Sequence, residues 1–238
     1  MPSPSGVPAF VYVPDLGAPG APVRLSDDES RYVARVCRVR AGEHVRATDG
    51  RGGLADLRVE SLEGGVRARV EALERIDRPR RAWVVSGAPE RGRDDWLVEK
   101  LAELDVERWI PVHCSRSRWE DSRVRPDRWE RVATAAMRQS MSPHRLSTNA
   151  PLDLEAAVEE VPAGAGRWLA SADGDAVGIH HDRELEVVVV GPAPGFTPEE
   201  LRMLESRGFR PVRLSVRRLR TETAAIAWAS RWASSAFE

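Results

Sequence analysis

A strand–loop–helix run near the C-terminus limits this chain to few folds. Val187–Val190 is four consecutive β-branched apolar residues, followed by GPAPGF at 191–196 and a helix signature. An uninterrupted apolar strand has no polar face, so it is expected inside a parallel sheet covered on both sides. Thr197 can cap the helix, Pro198 suits its first position, Glu200 can close a capping box and Gly208 can end it. The same alternation recurs upstream. Strand-like 82–87 precedes a helix at 94–104 with Leu97, Leu101 and Leu104 on one face; strand 108–114 precedes a helix at 127–140 opened by Pro126. Strands at 167–171 and 211–216 and a last helix from about 220 complete an α/β pattern with right-handed crossovers.

Residues 1–75 read differently. Short alternating stretches at 9–13, 44–48, 54–62 and 66–73 are separated by glycine and aspartate turns, with Asp49-Gly50 and Gly52-Gly53 between two strands. One helix at 27–38, capped by Ser26 or Asp27, should present Tyr32, Val33, Val36 and Cys37 on one face. A small β-barrel with one helix is expected. The charged stretch Glu74 to Arg81 reads as a linker to a second domain over 76–238.

Composition narrows the function classes. Apolar residues are 42% and charged residues 31%, the balance of a globular chain. Two distant cysteines, Cys37 and Cys114, and five dispersed histidines have no metal-ligand spacing, so no metal and no disulfide framework are expected. His180-His181 reads as a polar loop. With no apolar run near the roughly 20 residues of a membrane helix and no leader, the expected location is the cytoplasm, away from membranes. Net charge is −1, so any nucleic-acid surface must come from local clustering of arginines. No G-x-S-x-G elbow, Walker A or dinucleotide fingerprint is present.

Chemistry can sit in three places. In open α/β sheets, ligands bind at the carboxyl ends of strands, where Gly191 and Gly195 permit close approach; the same loop also serves as an ordinary strand-to-helix turn. Arg217, Arg218 and Arg220 precede Thr221-Glu222-Thr223, which either merely cap a helix or line a pocket beside 191–196. Arg91, Asp94 and Lys100 follow the first strand of the second domain, either as a solvated face or as a site.

Four ordered segments carry a resemblance: HVRATDGRGG from 44, RGRDDWLVEKLAELDVERWIPVHCSRS at 91–117, VVGPAPGFTPEE at 189–200 and LSVRRLRTETAAIA at 214–227. Together they resemble the 16S ribosomal RNA uridine-N3 methyltransferases of the SPOUT superfamily. The resemblance implies a PUA-like β-barrel, an RNA-binding domain, at 1–75, and a SPOUT domain with a C-terminal trefoil knot at 76–238. It implies bent S-adenosyl-L-methionine (SAM) in that knot, between the loops near 168–171, 191–196 and 213–220, where Leu169, Ala170, Gly191, Pro192, Ala193, Gly195, Leu214, Ser215, Leu219 and Thr223 are the candidate cofactor-binding residues. Arg220 would stabilise developing charge and Glu222 would support the pocket. Arg91, Arg116, Arg138 and Gln139 would meet the substrate, ribosomal RNA or the small ribosomal subunit, in a homodimer.

The chain departs from the family pattern at Ala193 and Pro194 (a glutamate and a glycine in the family), Ser215, Asp105 and Arg138, a charge reversal. Two further readings follow: a methyltransferase redirected to a small anionic substrate held by Arg138, or a non-catalytic descendant that binds RNA or a partner.

Overall fold

A computed structural model describes residues 9–175 and 183–234; the His180-His181 pair lies outside them. The chain forms two compact units: residues 1–78 with 137–145, and residues 79–136 with 146–238. The boundary thus falls at 78/79 where 75/76 was expected, and nine residues from the middle of the chain return to the first unit. The charged stretch is not all linker, because strands claim both of its ends, up to Arg75 and from Arg81.

In the first unit, β1 (Phe10–Tyr12), β2 (Pro22–Arg24), β3 (His44–Thr48), β4 (Gly53–Ser61) and β5 (Arg67–Arg75) form one sheet in the order β1-β3-β4-β5-β2. Only β1–β3 is parallel. Period-two patterning selects the faces: Leu57, Val59, Ala68 and Val70 are buried, whereas Asp56, Arg58, Arg67 and Arg69 are exposed. The β3–β4 turn is held by Asp49, whose Oδ1 accepts from Arg51 N–H (2.7 Å) and Gly53 N–H (2.8 Å). Gly50 and Gly52 supply the positive φ that the turn needs.

Helix α1 (Asp27–Arg31) starts at Ser26, whose hydroxyl accepts from Glu29 N–H at 3.3 Å. It then widens into a π-turn, Tyr32–Val36, closed by Cys37 N–H on Tyr32 O at 3.0 Å. The wider turn rotates the residues after it out of the expected phase. Val33 stays buried, but Val36, expected to face inward, is 69% exposed.

The last turn of a long helix, Pro126–Ser140, belongs to this first unit from Met137 onward. There Arg138 pairs with Glu29 at 3.0 Å and stacks 5.1 Å from the Tyr32 ring centre. The Glu29 side chain is only 5% exposed. Burial pushes its carboxyl above the usual range, and Arg138 pulls it part of the way back.

In the second unit, β6 (Arg81–Ser86), β7 (Arg108–His113), β8 (Ser147–Thr148), β9 (Leu152–Asp153), β10 (Gly166–Asp175), β11 (Leu185–Val190) and β12 (Arg210–Val212) all pair in parallel. The sheet order is β12-β10-β11-β6-β7-β8, with β9 also on β7. Alternate residues of the same strands feed two cores. Val84, Trp109, Val188 and Val190 meet α2 (Asp94–Glu103), the Trp129 and Ala133 turns of α3 (Pro126–Ser140), and α6 (Thr221–Ser234). Val85, Ile110, Val187 and Val189 meet α4 (Leu154–Glu159) and α5 (Pro198–Ser206). Helices therefore cover both faces, as an all-parallel sheet requires.

β12 ends at Val212, short of the expected 216: after a last bond to β10, from Arg213 N–H to Asp175 O (2.9 Å), the chain makes a local turn in which Arg217 N–H reaches the Ser215 hydroxyl (3.1 Å).

Truncating Arg138 would leave Glu29 buried without its counter-charge. Arg138→Ala should cost about 3 kcal/mol in urea unfolding, and Glu29→Leu/Arg138→Leu should recover most of it. A loss below about 0.5 kcal/mol would show that the pair is merely a surface contact.

Candidate active site

The register of the parallel sheet fixes where the loops converge. Val212 pairs with Ala170, Ala170 with Val190, Val190 with Ser86 and Ser86 with Pro111. These residues form one row across the sheet, and the loops after them, at 87–93, 191–197 and 213–220, leave from the same carboxyl edge. This edge is where helix N-termini and loop amides are presented to ligands.

Two of these loops are bonded to each other. The Thr221 hydroxyl donates to Gly191 O at 2.8 Å, and the Arg218 guanidinium donates to Ala193 O at 2.5 Å. The 191–195 loop is a tight turn, closed by Gly195 N–H on Pro192 O at 2.8 Å, with Gly195 at φ +76°. Pro194 brings no N–H, yet the turn draws its hydrogen bond from Gly195 and so loses nothing by the proline. Ala193 and Pro194 are exposed, Pro192 is buried, and Gly191 is half-buried. Gly87 N–H anchors on Val190 O at 3.0 Å, and a Cβ at Gly87 would lie 2.8 Å from Pro192. Glycine there is a requirement of close packing.

On the third strand end, Leu169 is 2% exposed inside the second core, so only its backbone faces the edge, while Ala170 is half-buried. Leu214 is nearly buried, and Ser215 and Leu219 are half-buried. Leu214 O accepts from the Arg231 guanidinium of α6 at 2.8 Å. Thr223 is exposed on the first turn of that helix.

Arg220 is 64% exposed and forms an ion pair with Glu90. Glu222, by contrast, is 3% exposed, and its carboxylate accepts from Glu90 N–H at 3.3 Å. Glu222 is thus a support beneath the loop, and Arg220 is the group offered to solvent. Arg91 is exposed and pairs with Glu120. Arg116 donates to Phe196 O at 3.2 Å, so it buttresses the 191–197 loop. Asp94 is bound to Arg123 at 2.5 Å, both largely buried, and Lys100 pairs with Glu99 and Glu103. Arg138 and Gln139 lie in the first unit, where Arg138 is committed to Glu29 and Gln139 is exposed.

Three contributors were absent from the expected set. Gly87 and Glu90 sit in a loop where their partners Val190, Arg220 and Glu222 are about 100 residues or more away in sequence. Glu200 was visible as a capping residue, and its Oε2 does accept from Thr197 N–H at 2.7 Å. Its Oε1 also accepts from Ser115 N–H at 2.7 Å, tying the 114–117 loop to the 191–197 loop. Among the described residues, no cluster of three or more His, Cys, Asp or Glu side chains could hold a metal, and no helix is long and apolar enough to cross a membrane.

A doubly covered parallel sheet with a knitted carboxyl edge and an attached β unit defines a class that the comparisons identify. A family model described as an RNA methyltransferase domain matches residues 77–233, and one described as an RNA methyltransferase PUA domain matches residues 25–71. The chain belongs to this RNA methyltransferase family. Its relatives include the ribosomal RNA small subunit methyltransferase E of Mycobacterium bovis, 31% identical over 97% of this chain and 95% of that protein. The crystal structure of a ribosomal RNA small subunit methyltransferase E from Neisseria gonorrhoeae, bound to S-adenosyl methionine, superposes with a TM-score of 0.86 at 26% identity over 95% of this chain and 97% of that one. A probable rRNA-methyltransferase from Porphyromonas gingivalis gives 0.80 at 28% identity, over 97% and 100%. The fold is the α/β, SPOUT-type architecture with an N-terminal PUA-like β unit.

Covalent chemistry through cysteine is disfavoured at this edge. Cys114 is buried, and its thiol is pushed up to about 12, first by burial and then by Glu200. A disulfide-exchange reagent at neutral pH should titrate Cys37 alone in the native protein and both thiols after unfolding. Two fast thiols in the native state would contradict the burial of Cys114.

Proposed function

We propose that this chain transfers a methyl group from SAM to N3 of a uridine in small-subunit ribosomal RNA. The observation that carries the reading is the bonded pair of loops, 191–195 and 213–220, at the carboxyl edge with Arg220 exposed beside them. Whole-length similarity to proteins named ribosomal RNA small subunit methyltransferase E, one of them solved with S-adenosyl methionine, supports both cofactor and substrate. We further propose that residues 214–220 thread a trefoil knot, that the active form is a homodimer, and that it works in the cytoplasm.

The residues fit a bent nucleoside cofactor. Small residues at the edge (Ala170, Gly191, Ala193, Gly195 and Ser215) leave room beside the backbone for the adenosyl and methionyl parts. SAM supplies an electrophilic methyl on a sulfonium. Leu214, Leu219 and Pro192 give the pocket apolar walls, and the Thr221 and Arg218 bonds hold its two sides at fixed spacing. As N3 gives up its proton to solvent water, negative charge spreads over the uracil oxygens, and the Arg220 guanidinium stabilises it. Arg91 and Arg218 lie on the same edge to meet phosphates. The pairing of Arg138 with Glu29 counts against a small anionic substrate held by Arg138.

Methyl transfer from labelled SAM to unmethylated small subunits, read by a reverse-transcription stop, tests the reading. N3 methylation blocks the pairing edge, so one discrete stop is expected in ribosomal RNA. Arg220→Ala should lower kcat at least tenfold. Label found only in small acceptors, or nowhere, would overturn the assignment.

A further inference from the structure

Arg220 carries a long, flexible side chain on an exposed loop, and an arginine free to sample rotamers is a poor catalytic electrostatic device. Something must hold it. Glu90 is the partner present, and the loop that carries Glu90 is fixed at four points. Gly87 N–H bonds Val190 O (3.0 Å), Arg123 donates to Pro89 O (2.9 Å), Glu222 accepts from Glu90 N–H (3.3 Å) and Arg93 N–H closes on Glu90 O (3.0 Å). Arg123 is itself locked to Asp94 at 2.5 Å and stacks 5.1 Å from the Trp119 ring centre. The carboxylate of Glu90 therefore projects from a rigid base, whereas the guanidinium it holds does not.

We propose that Glu90 is a positioning residue: it holds the Arg220 guanidinium in one orientation at the cofactor edge, and buried Glu222 sets the backbone from which it does so. This rests on the methyltransferase reading given above for Arg220. The two glutamates are chained to one arginine. Glu222 acts through the Glu90 backbone, and Glu90 acts through its side chain. The arrangement explains why a carboxylate with 3% exposure is spent on a single loop amide. A displacement of about 1 Å at a charge-stabilising group can cost about a hundredfold in rate, so a fixed base is worth its acidic neighbour.

The test uses full-length protein and compares wild type, Glu90→Gln, Glu90→Asp, Arg220→Ala and the double variant Glu90→Gln/Arg220→Ala in methyl transfer to small ribosomal subunits. Glu90→Gln keeps the backbone N–H and the side-chain size, so folding and the calorimetric affinity for SAM should match wild type while kcat falls about tenfold. Glu90→Asp should recover part of that loss. Because Glu90 works through Arg220, the double variant should be no slower than Arg220→Ala. Wild-type kcat in Glu90→Gln, a faster Glu90→Gln, or additive losses in the double variant would each overturn the proposal. A wild-type protein that binds SAM and methylates no ribosomal RNA would instead overturn the functional reading on which the proposal stands, and the proposal with it.

Discussion

Everything at the candidate site depends on the parallel register of one sheet. Because Val212, Ala170, Val190, Ser86 and Pro111 stand side by side, the loops that follow have no choice but to meet at one edge. Parallel strands need crossovers, and crossovers put helices on both faces. The valine run of β11 is the centre of this arrangement: Val188 and Val190 face one helical layer, and Val187 and Val189 face the other. A polar residue at any of these four would break a core on one side or the other.

Above that foundation, the edge is built by polar groups spent on backbone. Thr221, Arg218, Arg116, Arg231 and Glu200 all direct their side chains to main-chain atoms of the 191–197, 114–117 or 213–220 loops. A loop amide or carbonyl bonded in this way cannot wander, and the cofactor pocket proposed at this edge depends on that. The arginine-rich composition, which at net charge −1 gave no nucleic-acid signal, has one structural use here: the planar guanidinium reaches carbonyl oxygens from a distance.

The sequence made visible what is local and periodic. The capping box of α5 forms as read, with Thr197 and Glu200 bonded reciprocally, and the edges of α2, α3 and β11 lie within a few residues of expectation. What stayed hidden has physical causes. β2, β8, β9 and α4 are too short to carry a period. The π-turn at Tyr32–Val36 shifted the helix face by inserting width that no local propensity encodes. Arg138 looked like a free cation because its partner, Glu29, is 109 residues away. At the site, the residues around 191–195 and 214–223 were legible through motif and resemblance. Gly87 and Glu90 were not, because their importance lies in contacts made across the sheet.

Pro194 and Ser215 lie in the proposed pocket, at positions where the resemblance implies other residues. The turn around Pro194 closes through Gly195, and the Ser215 hydroxyl is taken up by Arg217 N–H, so both residues are accommodated by local bonds. A crystal structure of the protein with S-adenosylhomocysteine would show whether this edge holds the cofactor. A bent ligand is expected against the backbone of 169–170, 191–195 and 214–219, with the sulfur facing Arg220. A ligand bound elsewhere, or a pocket closed by Pro194 and Ser215 at saturating ligand, would contradict it.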